Sequence, residues 1–155
     1  MANYYGYTRT NYFVITDESK FRGLMARCAG SEGDVQIFED ERDIDKMGKF
    51  AFGCEGSISG IKILPEIGND CDDSDCCDCD CDYDYDAFCA ELQGLIAEDD
   101  AVLITEIGHE KLRYLSAHTM IITRSDIRVV QLENKAIAEA REMLGNPEFC
   151  TQNSY

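Results

Sequence analysis

Residues 70–86 hold nine aspartates, five cysteines and no basic residue. A tract of this composition interrupts the apolar patterns on either side of it, and we interpret it as an insertion between a strand and a helix. The chain of 155 residues is long enough for one ordinary hydrophobic core and too short for two. We therefore predict a single domain over residues 1–155, with a Cys/Asp-rich loop at about 70–86.

Strand patterns rich in aromatic and β-branched residues lie at 12–15, 35–38, 50–53, 57–64, 101–107, 111–123 and 127–132. Helical spacing of apolar residues predicts a first helix that Thr16 caps and that ends near Gly30, a second at 86–97 and a third at 133–144. The segment Gly108-His109-Glu110 marks a hairpin turn. Because the strands come in hairpin-like groups without regular βαβ alternation, we predict an α+β fold, in which about three helices pack on a mainly antiparallel sheet.

The chain is strongly acidic, with 31 Asp and Glu against 14 Lys and Arg and a net charge of −17. About half of this excess lies in the tract, because the other 138 residues carry only −8. Such a field repels nucleic acid and anionic membranes and attracts basic surfaces. We therefore expect no direct binding of nucleic acid or membrane, and the expected partner is a basic protein surface or a metal cation.

The N-terminal residues lack a basic stretch followed by an apolar one, and no apolar run approaches the ~20 residues that cross a bilayer. The expected location is therefore the cytoplasm, where thiols stay reduced. Nine cysteines is an odd number, and five of them crowd into residues 71–81. This clustering favours metal binding over a disulfide framework.

Cys76 and Cys79 have the C-x-x-C spacing of a metal-binding turn. Same-face residues of a straight strand lie ~6.7 Å apart, whereas thiolates on one zinc ion need sulfur atoms roughly 3.8 Å apart, so the tract must bend to bind zinc. We predict a structural zinc site whose candidate ligands are Cys71, Cys76, Cys77, Cys79 and Cys81. Cys54 is a further candidate that the fold could bring close. The alternative is a solvated acidic loop in which the cysteines are incidental, since a second C-x-x-C is missing.

The candidate partner-binding face of the tract consists of Asp72, Asp73, Asp75, Asp78, Asp80, Asp82 and Asp84. One carboxylate per ~6.7 Å of strand is sparse beside duplex DNA, which carries a charge per ~1.7 Å, so the tract is a poor copy of a duplex. We expect it to steer a basic partner toward specific contacts with the folded body. Four other residues, Cys28, Cys89, His109 and His118, are expected to be packed or on the surface and not to be ligands.

No local motif joins a nucleophile, a base and an orienting group, and the sequence lacks a P-loop, G-x-G-x-x-G, G-x-S-x-G and H-E-x-x-H. A hydrolytic zinc site usually contains histidine or carboxylate and an open position, whereas a cysteine-rich cluster is typical of a closed structural site. We therefore interpret the chain as a binding protein and not as an enzyme.

The opening Tyr4-Tyr5-Gly6-Tyr7-Thr8-Arg9-Thr10-Asn11-Tyr12-Phe13, followed by Thr16-Asp17-Glu18, resembles small acidic proteins carried by mobile elements of Gram-positive bacteria. With its size, charge and cysteine tract, the chain resembles the anti-CRISPR proteins that inhibit type II-A Cas9. The resemblance implies a non-enzymatic inhibitor that binds a basic surface of Cas9 and blocks the loading of guide or target DNA. For the aromatic residues of this opening we expect packing along an edge strand, with a contact surface as the alternative.

Two other functions remain open. In the first, the chain is a metal-buffering or metal-sensing protein, the tract is its active part, and several metal ions bind per chain. In the second, the chain is an immunity or antirestriction protein that neutralises a different basic nuclease. Like Cas9 inhibition, the second function relies on attraction between an acidic protein and a basic nuclease, so only the identity of the partner distinguishes the two.

Overall fold

The computed structural model describes residues 5–39, 48–63, 82–110 and 114–151. This part of the chain contains nine strands and three helices. The strands are β1 (Tyr5–Thr10), β2 (Cys28–Gly30), β3 (Gln36–Glu39), β4 (Phe50–Glu55), β5 (Ile58–Lys62), β6 (Tyr83–Asp84), β7 (Ala101–Glu110), β8 (Tyr114–Thr123) and β9 (Ile127–Gln131). The helices are α1 (Glu18–Arg27), α2 (Tyr85–Leu95) and α3 (Leu132–Leu144).

The strands form two sheets. A six-stranded sheet has the order β3-β4-β1-β7-β8-β9, and a three-stranded sheet has the order β2-β5-β6. Every strand pair among the described residues is antiparallel. The predicted α+β fold, with three helices and a mainly antiparallel sheet, is therefore confirmed.

One hydrophobic core lies between the inner face of the six-stranded sheet and the helices α1 and α2. Its centre is Phe52 of β4, whose ring centroid lies 6.0 Å from that of Phe13, 6.4 Å from that of Phe21 and 6.1 Å from that of Phe88. Two of these ring pairs meet edge to face, the arrangement that the charge distribution of aromatic rings favours. Phe52 thus joins β4 to α1, to α2 and to the segment between β1 and α1.

Helix α1 begins one residue later than predicted. Asp17 is the N-cap, and its carboxylate accepts a hydrogen bond from the Lys20 backbone amide at 3.0 Å. The Thr16 hydroxyl instead donates to the Leu95 carbonyl at 3.1 Å, which ties the start of α1 to the end of α2. At the other end the chain turns extended at Cys28 and enters β2, so the prediction of Gly30 as a helix-ending glycine was wrong.

The strand predicted at 12–15 is replaced by an earlier one, β1. Phe13 and Ile15 make only isolated bridges outside the named strands. Along β1 the buried residues are Gly6, Thr8 and Thr10, and the tyrosines between them are exposed. The loop at Gly56 explains why the small residues of β1 point inward and its tyrosines outward. The backbone amide of Gly56 donates to the Gly6 carbonyl at 2.7 Å, and the Gly56 carbonyl accepts from the Thr8 hydroxyl at 2.8 Å. Small inward residues let this loop approach the sheet.

The predicted turn at Gly108-His109-Glu110 is also absent, because β7 continues through all three residues. Gly108 lies opposite Gly6 of β1 and Ser116 of β8, on the side of the sheet that the loop at Gly56 approaches. A glycine inside a strand commonly marks such a close approach. The connection between β7 and β8, residues 111–113, lies outside the described residues.

Helix α3 follows β9 directly and ends at Gly145, whose φ of 60° is the left-handed conformation that glycine adopts easily. Both boundaries agree with the predicted helix at 133–144 to within one residue. No side chain of α3 is buried. None of the helices in the described part of the chain is long and apolar enough to cross a bilayer.

Candidate protein-binding surface

Strand pairing joins the two chain positions that flank residues 64–81, the segment that contains most of the Cys/Asp-rich tract. Lys62 of β5 lies opposite Tyr83 of β6, and the Ile63 amide donates to the Asp82 carbonyl at 2.9 Å. Most of the predicted site residues lie between these positions and outside the described residues, namely Cys71, Asp72, Asp73, Asp75, Cys76, Cys77, Asp78, Cys79, Asp80 and Cys81. The predicted zinc site therefore stays a prediction.

Two aspartates of the predicted acidic face are described. Asp82 is exposed beside the start of β6. Asp84 is half-buried and is the N-cap of α2, where its carboxylate accepts from the Ala87 amide at 2.8 Å. Asp84 therefore stabilises the helix that follows the tract.

Three cysteine thiols of the body lie in or beside the core. Burial raises the pKa of Cys28 to about 12 and that of Cys89 to about 11, and it also raises the pKa of Cys54. These thiols are protonated at neutral pH, and the thiolate is the form that binds metals and attacks electrophiles. Cys89 packs with its sulfur 3.8 Å from that of Met120, as predicted for a core residue. Among the described residues no group of three His, Cys, Asp or Glu side chains is placed to hold a metal ion.

The two histidines lie on opposite faces of the six-stranded sheet. His109 is exposed, and its ring centroid is 5.9 Å from that of Tyr5. The Nε2 atom of His118 is 3.9 Å from Oε2 of Glu106, whose other carboxylate oxygen accepts from the Ser57 hydroxyl at 2.6 Å. Ser57 thus donates to one oxygen of the Glu106 carboxylate, and the imidazole of His118 lies near the other oxygen. This is not the arrangement of a nucleophile and its base.

The outer face is the face of the six-stranded sheet opposite α1 and α2. Strand register places alternate residues of β1, β7, β8 and β9 on it. Its exposed large side chains are Tyr5, Tyr7, Leu103, Ile107, Leu115 and Val130. Four of them are more than half exposed, with Tyr5 at 53%, Tyr7 at 66%, Ile107 at 58% and Leu115 at 69%. These exposed side chains lie on four adjacent strands, and a cluster of exposed apolar residues is typical of an association surface.

Few charges occur on the outer face. Among the described strand residues that point to it, the ionised side chains are Arg9, Glu55 and Arg128. The guanidinium of Arg9 lies 3.5 Å from the ring centroid of Phe38, so the Arg9 side chain covers part of β3. Tyrosine and arginine beside exposed aliphatic side chains are the composition of protein-binding hot spots.

The β9 end of the sheet carries little net charge. The described residues 114–151, which include β8, β9 and α3, contain 5 Asp and Glu and 4 Lys and Arg. Residues 1–100 contain 24 Asp and Glu and 8 Lys and Arg, whereas residues 101–155 contain 7 and 6. Nearly all of the acidic excess therefore belongs to residues 1–100 of the sequence.

Sequence reasoning missed this outer face because it placed the opening aromatic residues in an edge strand. Strand β1 lies between β4 and β7, so it is not an edge. Its sequence, Tyr-Gly-Tyr-Thr-Arg-Thr, alternates with period two. That alternation was a usable signal, with the tyrosines on one side of the strand and the small residues on the other.

No known protein family matches the chain, and neither a curated protein nor a solved structure shows significant similarity to it.

Proposed function

We propose that the protein is a non-enzymatic acidic inhibitor that acts in the cytoplasm of a bacterial host. It binds a basic surface of a nucleic-acid enzyme, and type II-A Cas9 is the first candidate because of the resemblance of residues 4–18. The observation that carries the proposal is an uncovered, tyrosine-bearing sheet face on a chain of net charge −17. Blocking of target-DNA loading is the expected mode of inhibition.

The charge accounts for encounter and selectivity. Enzymes that handle nucleic acid hold it in channels lined by Lys and Arg, and a field of this sign accelerates association with such channels while it repels nucleic acid itself. Rim charges mainly change the association rate and its salt dependence. We therefore assign steering to the acidic part, residues 1–100, and lasting contact to the outer face.

The outer face accounts for affinity. Tyr5 and Tyr7 project from the middle of a rigid sheet, so binding orders few additional side-chain torsions. Hot-spot residues of this kind typically cost at least ~2 kcal/mol when they are truncated to alanine. Each 1.4 kcal/mol changes a dissociation constant about tenfold.

The test is DNA cleavage by a type II-A Cas9–guide complex, with the protein added before or after the target DNA. We expect inhibition only when the protein is added first. The double variant Tyr5→Ala/Tyr7→Ala is expected to need at least about a tenfold higher concentration for half inhibition. Ile63→Ala is the matched control, because Ile63 is 48% exposed and follows β5, a strand of the other sheet.

Two results would overturn the proposal in different ways. Cleavage that is uninhibited in both orders of addition, with several Cas9 orthologues, would remove Cas9 as the partner. Full inhibition by the double variant would remove the outer face as the contact surface while leaving the partner in place.

We further propose that the tract binds about one structural zinc ion through its cysteines, on the basis of the C-x-x-C at Cys76 and Cys79. Protein from a zinc-supplied preparation should then contain about one zinc per chain by elemental analysis, and chelation should lower the melting temperature. Cys76→Ser/Cys79→Ser should lose the metal and the stability, whereas Cys150→Ser, at an exposed cysteine outside the tract, should lose neither. Several weakly held ions would favour metal buffering, and metal-free protein would favour incidental cysteines.

A further inference from the structure

The two ends of the six-stranded sheet differ in how their last strand is protected. At β3, Glu39 pairs with Arg22 of α1 at 2.5 Å, and Phe38 lies under the Arg9 guanidinium. At β9 all five residues are exposed, and no strand of the described chain pairs with its outer edge. An exposed apolar edge strand is a template for pairing with another strand, and proteins usually shield such edges.

The hairpin that precedes β9 determines which backbone groups point outward. The Thr123 amide donates to the Asp126 carbonyl at 2.9 Å, which makes these two residues a hydrogen-bonded pair. Hydrogen-bonded and non-hydrogen-bonded pairs alternate along an antiparallel ladder, so Val129, three residues after Asp126, belongs to a non-hydrogen-bonded pair with Met120. The amide and carbonyl of Val129 therefore point away from β8, toward the open edge.

We propose that β9 pairs antiparallel with β9 of a second copy of this chain, so that two six-stranded sheets join into one continuous sheet. When residues 127–131 of one copy pair along their full length with residues 127–131 of the other, Val129 of one copy lies opposite Val129 of the other, and a twofold axis passes between them. Because the amide and carbonyl of Val129 point outward, this central pair can exchange two hydrogen bonds. The contact is self-complementary, as a closed dimer requires.

Charge selects a second copy as the occupant. The described residues 114–151, which include β8, β9 and α3, contain 5 acidic and 4 basic residues, so two β9 edges can meet without strong charge repulsion at the contact. The same pairing brings the turn at Arg124 of one copy to the first turn of α3 in the other, where Glu133 carries the opposite charge.

Apolar side chains beside the edge add to the contact. Ile127 and Val129 are exposed on the inner face of the sheet and Val130 on the outer face, and Leu132 is exposed at the start of α3. Pairing of two β9 strands therefore brings apolar side chains together on both faces of the joined sheet. Strand pairing alone is a small contact, so we expect a dimer that dissociates in the micromolar range rather than an obligate one.

The test is sedimentation velocity over a range of concentrations, in reductant and chelator so that disulfide and metal bridges are excluded. Wild-type protein is expected to shift from the mass of one chain, 17.4 kDa, toward twice that mass. Val129→Lys and Val129→Glu should each stay monomeric, because like charges then meet at the twofold axis. Mixed in equal amounts, the two variants should form a heterodimer.

Leu103→Lys is the matched control, because Leu103 is exposed on β7, an interior strand with no open edge. This variant should dimerise like the wild type. Amide exchange gives a second measurement that does not depend on variants. The Val129 amide should exchange more slowly at high protein concentration, while that of Arg128, already paired to β8, should not change.

A monomeric mass at all concentrations up to a few hundred micromolar would overturn the proposal. A dimer that survives Val129→Lys and is lost in Leu103→Lys would also overturn it and would assign the contact to the outer face. The first result does not bear on Cas9 inhibition, which is measured separately, whereas the second would place the dimer contact on the surface that we propose for Cas9.

Discussion

Replacing Phe52 by alanine is expected to lower the free energy of unfolding by about 3–5 kcal/mol, the usual cost of truncating a fully buried phenylalanine. Phe52 has no exposed surface and touches the rings of three other phenylalanines from three different segments. Its loss leaves a cavity whose walls belong to separate elements, so local collapse cannot fill it. In a domain of this size 1 kcal/mol corresponds to about 2–4 °C, and the melting temperature should fall by roughly 10 °C.

Urea unfolding followed by circular dichroism measures this change. Tyr7→Ala is the control, because it also truncates an aromatic residue of the same sheet but at a site that is 66% exposed. Its free energy of unfolding should stay within about 0.5 kcal/mol of the wild type. Equal destabilisation by the two substitutions would contradict the assignment of the inner and outer faces.

The second large effect is expected at Gly60, where alanine should cost about 2–5 kcal/mol through backbone strain and overpacking. Gly60 has a φ of +113°, which side-chain-bearing residues rarely adopt. A Cβ atom there would lie 2.5 Å from the carbonyl oxygen of Asp84 and 2.7 Å from the backbone nitrogen of Tyr85. Both atoms belong to the start of α2, so the helix itself would have to move.

Gly23→Ala makes the matched comparison, since Gly23 lies inside α1 and a Cβ atom there would meet nothing within 4 Å. This substitution should raise the free energy of unfolding by about 0.5–1 kcal/mol, because glycine is a poor helix former. Thermal melting of both variants in parallel measures this difference. The melting temperature should fall for Gly60→Ala and rise for Gly23→Ala, although both replace glycine by alanine. A stable Gly60→Ala protein would contradict the approach of β5 to α2.

The parts of the fold that sequence reasoning predicted are those determined by local periodicity. Phe21, Leu24 and Met25 recur at helical spacing and are buried on α1. Phe88 and Leu92 do the same on α2. The β-branched runs at 101–107 and 127–132 fall within β7 and β9, apart from the last residue of the second run. On α1, α2 and β7 the apolar pattern and the burial agree, so no distant contact was needed to decide the element, whereas β9 is a strand although all five of its residues are exposed.

The parts it missed depend on contacts between residues far apart in sequence. The inward position of Gly6 and Thr8 follows from the loop at Gly56, about 50 residues later, and no local pattern announces it. The exposure of Tyr7 follows from the same contact, since successive strand residues point to opposite faces. Likewise, the apolar residues of β9 and α3 predict the correct elements, but nothing local tells that the chain leaves them uncovered.

The proposed contact surface and the predicted acidic face are different parts of the molecule, and we propose different physical roles for them. The first is largely apolar, carries few charges and lies on β1, β7, β8 and β9 of one sheet. The second is a tract whose predicted role is attraction at a distance. Substitutions in the two parts should separate in kinetics, with outer-face variants changing the dissociation rate and tract variants the association rate.

The hydrogen bond between Ile63 and Asp82, together with the pairing of β5 and β6, joins the two chain positions that flank residues 64–81. Contacts within the described body hold these positions side by side, so the cost of closing the intervening segment depends only weakly on its length. Each doubling of the length of a flexible loop adds about 0.6 kcal/mol. Insertions, deletions and changes of charge between these two positions should therefore alter the stability of the domain little.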